Sequence, residues 1–253
     1  MVGQGEKTFR FSLKLKSMVK IEKHGKVSLI TFDDGKVNVL NQDSLSALGQ
    51  ALDDCKDAKA VVLTGGGKCF SAGLDLKVLP SLDKDELFGV LEQFSAVLGR
   101  ILRYPRPVVA AVNGHAIAGG AVITLCCDVA LAGEKDLKIG LSEVAVGMPL
   151  PKFVVELARN RLAVPRWSEA VLFGKLYNWR EAKEVGYLHQ TVPSEKLLET
   201  ALAVAGQLAS LPDSAYTPTK MSLWSQIPQQ LEAAAVGAFL TDQAKEHMSQ
   251  FKG

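Results

Sequence analysis

The 253-residue chain has four cysteines, at 55, 69, 126 and 127, and no two of them stand in C-x-x-C spacing. That spacing argues against a disulfide frame, a redox motif or a zinc site. The adjacent Cys126–Cys127 pair suits apolar packing, so reduced core thiols and a cytoplasmic location are expected. No apolar run reaches the roughly 18 residues needed to span a bilayer. Net charge is also nearly absent, with 29 basic against 27 acidic residues. Such a balance gives no reason to expect nucleic acid or a membrane surface as partner, although an anionic substrate needs only a few local cations.

Two nucleotide motifs are missing where glycines invite them. Around Gly65-Gly66-Gly67-Lys68, a Walker loop requires glycine at 62 and Ser or Thr at 69, where Val62 and Cys69 stand. A dinucleotide fingerprint from Gly65 requires glycine at Phe70. Residues 1–17 are basic and alternate in FRFSLKLK, without the apolar centre of a secretory signal. An added edge strand, a dispensable extension and a transit peptide all remain open for them.

From Met18 the pattern is strand, loop and helix, repeated without low-complexity linkers. Strands are predicted at Val27–Phe32, Ala60–Thr64, Val108–Val112, Asp128–Ala132 and Lys138–Gly140. Helices are predicted over Asn41–Cys55, Glu86–Leu102 and Gly119–Cys127, and the chain reads as mostly helical from Pro151 onward. This order argues for an α/β class. A final segment, Leu231–Phe251, carries an apolar stripe that must be buried on its own core or on a neighbour.

Two stretches are suited to chemistry. Cys69-Phe-Ser-Ala-Gly-Leu-Asp-Leu-Lys77 has small residues at 71–73 that allow close backbone approach to a ligand. Asn113-Gly-His-Ala-Ile-Ala-Gly-Gly-Ala121 joins a strand end to a helix start, where unpaired N–H groups favour an oxyanion. Each alone is a generic tight turn. Together, with Cys127-Asp128 following and Ile139-Gly-Leu-Ser-Glu143 beyond, they resemble the crotonase superfamily of enoyl-CoA hydratases and isomerases from about Met18 to the C-terminus. Its 3,2-enoyl-CoA isomerase branch is the most similar.

The resemblance implies a crotonase-type spiral of β-β-α turns over 18–200, with a helical oligomerisation region at 201–253. It implies an acyl-CoA substrate, no further cofactor, and a homotrimer or dimer of trimers. Carried over by residue, it makes the N–H groups of Leu74 and Gly119 the oxyanion hole. It assigns coenzyme A contacts to Val37, Val39, Ser71 and Ala72, with Lys77 either a phosphate partner or a solvated lysine. Phe239 and Lys252 would approach the acyl-CoA of a neighbouring chain, and Asp128 would be structural.

Hydratases of this family use two glutamates. The position of the first is Val122 here, and the second is Glu143. A single carboxylate can carry a proton from C2 to C4 of a 3-enoyl thioester without activating water. Its setting among Leu141 and Val144–Val146 should raise its proton affinity towards that of a base near neutrality. The competing readings are hydratase, hydrolase or decarboxylase chemistry at the same oxyanion hole, or a non-catalytic acyl-CoA binder.

Overall fold

The computed structural model describes residues 18–227 and Glu246. Runs of apolar, often β-branched residues form a six-stranded sheet. Strand β1 (Val19–His24) turns through Gly25, at φ 61°, into antiparallel β2 (Val27–Phe32). Parallel to β2 follow β4 (Ala60–Gly65), β7 (Val108–Val112), β9 (Val129–Gly133) and β11 (Gln190–Val192), in that spatial order. Every residue of β4 and β7 is buried, as strands covered on both faces require.

After each long strand a tight loop leads to a short one in a second layer. There β5 (Cys69–Ser71), β8 (His115–Ile117) and β10 (Ile139–Gly140) pair in parallel, and β3 (Val39–Leu40) pairs with β6 (Gly73–Leu74). Helices α1 (Gln42–Asp54), α2 (Lys84–Leu102) and α3 (Gly119–Cys126) close successive turns. The result is the expected spiral of strand-strand-helix units. Helix α2 starts two residues before the predicted Glu86, because Asp83 caps it and Glu86 reaches back to the Asp83 N–H. The cap precedes the apolar periodicity that marks the helix.

The C-terminal half carries α4 (Lys152–Arg161), α5 (Trp167–Leu172), α6 (Trp179–Val185), α7 (Leu197–Leu208) and α8 (Asp213–Leu223). The boundary expected at residue 200 falls inside α7. Its Leu197, Ala201 and Ala205 share one helix face and pack on Leu29, Val62, Val109 and Leu131 from alternate positions of the sheet. The other sheet face meets the main core with α1, α2 and α3. Helix α7 therefore belongs to the spiral, and the sheet also gains β11 from a stretch expected to be helical. The stripe at 231–251, residues 1–17, Phe239 and Lys252 lie outside the described residues.

All four cysteines are free and buried. Among the described residues no helix is long and apolar enough to cross a membrane, and no three His, Cys, Asp or Glu side chains gather as for a metal.

Asp128, between α3 and β9, ties the spiral to α8. Its Oδ2 accepts from Val108 N–H at 2.8 Å and from Lys220 Nζ at 2.6 Å, and the Lys220 side chain is 3% exposed. Lys220→Met leaves that carboxylate buried without its counter-charge. A loss of about 3–5 kcal/mol in urea unfolding is the expected result.

Candidate active site

A cleft of about 780 Å³, partly open to solvent, runs between the two glycine-bearing loops and the wall made by α2 and α4. The first loop is organised by Asn38, a residue the sequence reading did not select. Asn38 is fully buried with φ 58°, a left-handed conformation that asparagine tolerates better than most residues. Its Nδ2 donates to Gly66 O at 3.1 Å and Cys69 O at 2.7 Å, and Asp34 Oδ1 accepts from its N–H. The Ser71 hydroxyl donates to Asn38 O at 2.7 Å and accepts from Gly73 N–H at 3.2 Å. Ser71 is 1% exposed, so its hydroxyl braces the loop from within and is not presented to a coenzyme.

Val37 O accepts from Ala72 N–H at 3.0 Å, and Ala72 lines the cleft. Val37 is exposed, Val39 is half-buried in β3, and Lys77 is exposed with its N–H on Asp75 Oδ1. Neither Val37, Val39 nor Lys77 reaches the cleft lining.

Leu74 and Gly119, the residues expected to donate, both line this cleft. Leu40 uses its carbonyl to accept from Asp75 N–H, and bonds in a parallel ladder go to alternate residues, so the Leu74 N–H between them points away from β3. Gly119 is the first residue of α3, and the first intrahelical bond is Val122 N–H to Ala118 O. The Gly119 N–H therefore has no acceptor within the helix. Contact between the loops is tight: a Cβ on Gly73, which has φ 82°, would lie 2.7 Å from Ile117 O and 2.9 Å from Gly119 N. Ala118 turns the chain from β8 into α3 with φ 50° and ψ −118°, a conformation rare outside glycine. Its N–H is fixed on Gly140 O at 2.9 Å.

Opposite these donors, Glu143 opens a 3₁₀ turn, Glu143–Val146, that leaves β10 and ends on Gly147 at φ 77°. Glu143 is 6% exposed, and its Oε2 has no hydrogen-bond partner among the described residues. Burial pushes its carboxyl up to about 7, opposed only by its own backbone N–H. Leu74, Gly119 and Glu143 line one cleft with Val122, which is 1% exposed, and with Leu91, Phe94, Met148, Phe153 and Val154. Glu143 is the one ionisable group among the described lining residues. The apolar wall from α2 and α4 was legible only as helical spacing, which does not say which face turns to a ligand.

Two backbone N–H groups outside their own ladder and helix bonds, a buried carboxyl and an apolar trough thus share one cleft, an arrangement suited to proton transfer next to a carbonyl. Residues 22–250 match the family model described as enoyl-CoA hydratase/isomerase, and the chain belongs to that family. Enzymes of this family act on coenzyme A thioesters without a further cofactor.

Among its relatives, a Thermus thermophilus protein with an enoyl-CoA hydratase name is 36% identical over 217 residues, 83% of each chain. The crotonyl-CoA hydratase of Syntrophomonas wolfei is 32% identical over 246 residues, covering 91% of this chain and 93% of its own. The crystal structure of human mitochondrial Δ3-Δ2-enoyl-CoA isomerase superposes with a TM-score of 0.89 at 26% identity, over 92% of this chain and 96% of that one.

Proposed function

We propose that the chain is an enoyl-CoA isomerase that moves a double bond from the 3- to the 2-position of an acyl-CoA, in β-oxidation of unsaturated fatty acids. Leu74 and Gly119 N–H hold the thioester oxygen, and Glu143 takes the C2 proton. Charge then develops on an oxygen already faced by two donors, and the protonated Glu143 returns its proton at C4. The observation that carries this reading is that Glu143 is the lone ionisable group among the described lining residues, with buried Val122 where a hydratase places its other glutamate. Hydration needs one group to activate water and another to protonate carbon, and among the described lining residues there is no second such group.

The second reading is hydratase activity, favoured by the hydratase names of most curated relatives. Purified protein given 3-hexenoyl-CoA should form the conjugated thioester, followed by absorbance, with little hydration of 2-hexenoyl-CoA. Hydration without isomerisation would overturn the proposal. The base must be deprotonated to act, so kcat/KM should fall as pH drops through about 7, the value to which burial raises Glu143. A rate flat from pH 5 to 8 would exclude Glu143 as the base.

Coenzyme contacts are proposed at Ala72, which lines the cleft, and at Val37, Val39 and Lys77 outside its lining, with the Ser71 hydroxyl bracing the loop behind them. The assembly proposed is a homotrimer or a dimer of trimers, for which light scattering at low concentration is the test. The free, buried cysteines support action in the cytoplasm.

A further inference from the structure

Helix α3 is short, and all eight of its residues are buried. It has no side-chain cap at Ala118 and no basic residue in its last turn. Its N-terminus carries the Gly119 donor. One carbonyl of its last turn and the two carbonyls that follow the helix are held from outside, by the side chain that ends α4. Arg161 Nε donates to Leu125 O at 3.0 Å, Nη1 to Asp128 O at 3.3 Å, and Nη2 to Cys127 O. The guanidinium plane lies over the Trp224 ring, 4.6 Å from its centre. The near end of α4 supplies Phe153 and Val154 to the cleft. One ten-residue helix thus touches the cleft at its start and grips the back of α3 at its end.

We infer that Arg161 is a positioning residue for the oxyanion hole: its hold on the Leu125 carbonyl in the last turn of α3 and on the Cys127 and Asp128 carbonyls just past its end fixes that helix along its axis and so sets where the Gly119 N–H meets the thioester oxygen. The first turn of α3, Gly119-Gly120-Ala121-Val122, offers little side-chain bulk to hold it along the axis, and the larger Ile123 and Leu125 sit in its second half, next to the carbonyls that Arg161 holds. The fork supplies the axial restraint, and its positive charge also faces the negative end of the helix. Trp224, at the end of α8, keeps the guanidinium plane from tilting. This inference rests on the oxyanion reading of Leu74 and Gly119.

The test uses 2,4-hexadienoyl-CoA, a conjugated thioester whose absorbance shifts to longer wavelength when its carbonyl is polarised. Wild type should bind it with a red shift. Arg161→Lys keeps charge but loses the fork. It should bind the ligand within about threefold, lose most of the red shift, and lose about 10- to 100-fold in kcat on 3-hexenoyl-CoA at little change in KM. Arg159→Ala, an exposed residue of the same helix paired with half-buried Glu156, should change neither. If Arg161→Lys fails to fold, Trp224→Leu, which removes the stack and leaves the hydrogen bonds, should show a partial loss of red shift and kcat. No red shift in wild type would overturn the oxyanion reading and this inference with it. A wild-type shift undiminished in a folded Arg161 or Trp224 variant would overturn this inference alone.

Discussion

Glu143→Gln is expected to abolish most isomerisation while making the protein more stable. The amide keeps the shape of the side chain and loses the ability to accept a proton, so kcat should drop by about 10²–10⁴ with substrate binding retained. The stability gain follows from the same burial that makes the carboxylate a base. Its folded-state value of about 7 lies above the ordinary 4.5, so between those values the folded chain binds more protons than the unfolded one. Stability contributed by this group is therefore present in acid and lost as pH rises through 7. At pH 8 the wild type holds a buried carboxylate whose Oε2 has no partner among the described residues, and the variant does not carry that charge. Urea unfolding at pH 8 should favour the variant by about 1–3 kcal/mol, with the gap closing towards pH 5. A variant inactive but no more stable would mean that the carboxylate is solvated, and a variant still active would remove Glu143 from the chemistry.

Gly73→Ala is expected to cost about as much activity by a different route. A methyl at this position would lie 2.9 Å from Gly119 N and 2.7 Å from Ile117 O, between the two proposed donors. Backbone at φ 82° also disfavours alanine by about 1–2 kcal/mol. Displacing one donor of such a pair should lower kcat/KM by about 10²–10³. Gly67→Ala separates the two effects, since Gly67 also has a positive φ, 62°, but open space where its Cβ would go. It should lose about 1 kcal/mol of stability and retain activity within about twofold. Normal turnover in Gly73→Ala would show that the carbonyl is polarised from elsewhere.

How much of this was legible beforehand depends on the length scale of the signal. Strands β2 and β7 fall where their apolar runs place them, because five or six residues suffice to show a buried strand. The two-residue strands β3 and β6 show no period at all, yet they shape the first loop of the site. Glu143 and Val122 were readable through motif spacing, and the raised proton affinity of Glu143 through its apolar neighbours. Asn38 was not, since a left-handed asparagine that binds two distant carbonyls looks in sequence like any loop residue. Arg161 was equally silent, because its partners lie more than thirty positions away.

The direction of the proposed Leu74 donor is set by the parity of β6. Alternate residues of that strand turn their N–H groups towards β3, and Leu74 falls on the other half. Side chains at 74 and beyond can therefore be exchanged at modest cost, because none of them supplies the hydrogen bond. A one-residue insertion or deletion between Ser71 and Leu74 is another matter. It would rotate a different amide into the cleft and bury the former donor in the ladder, so the chemistry of this stretch is written in its length more than in its letters.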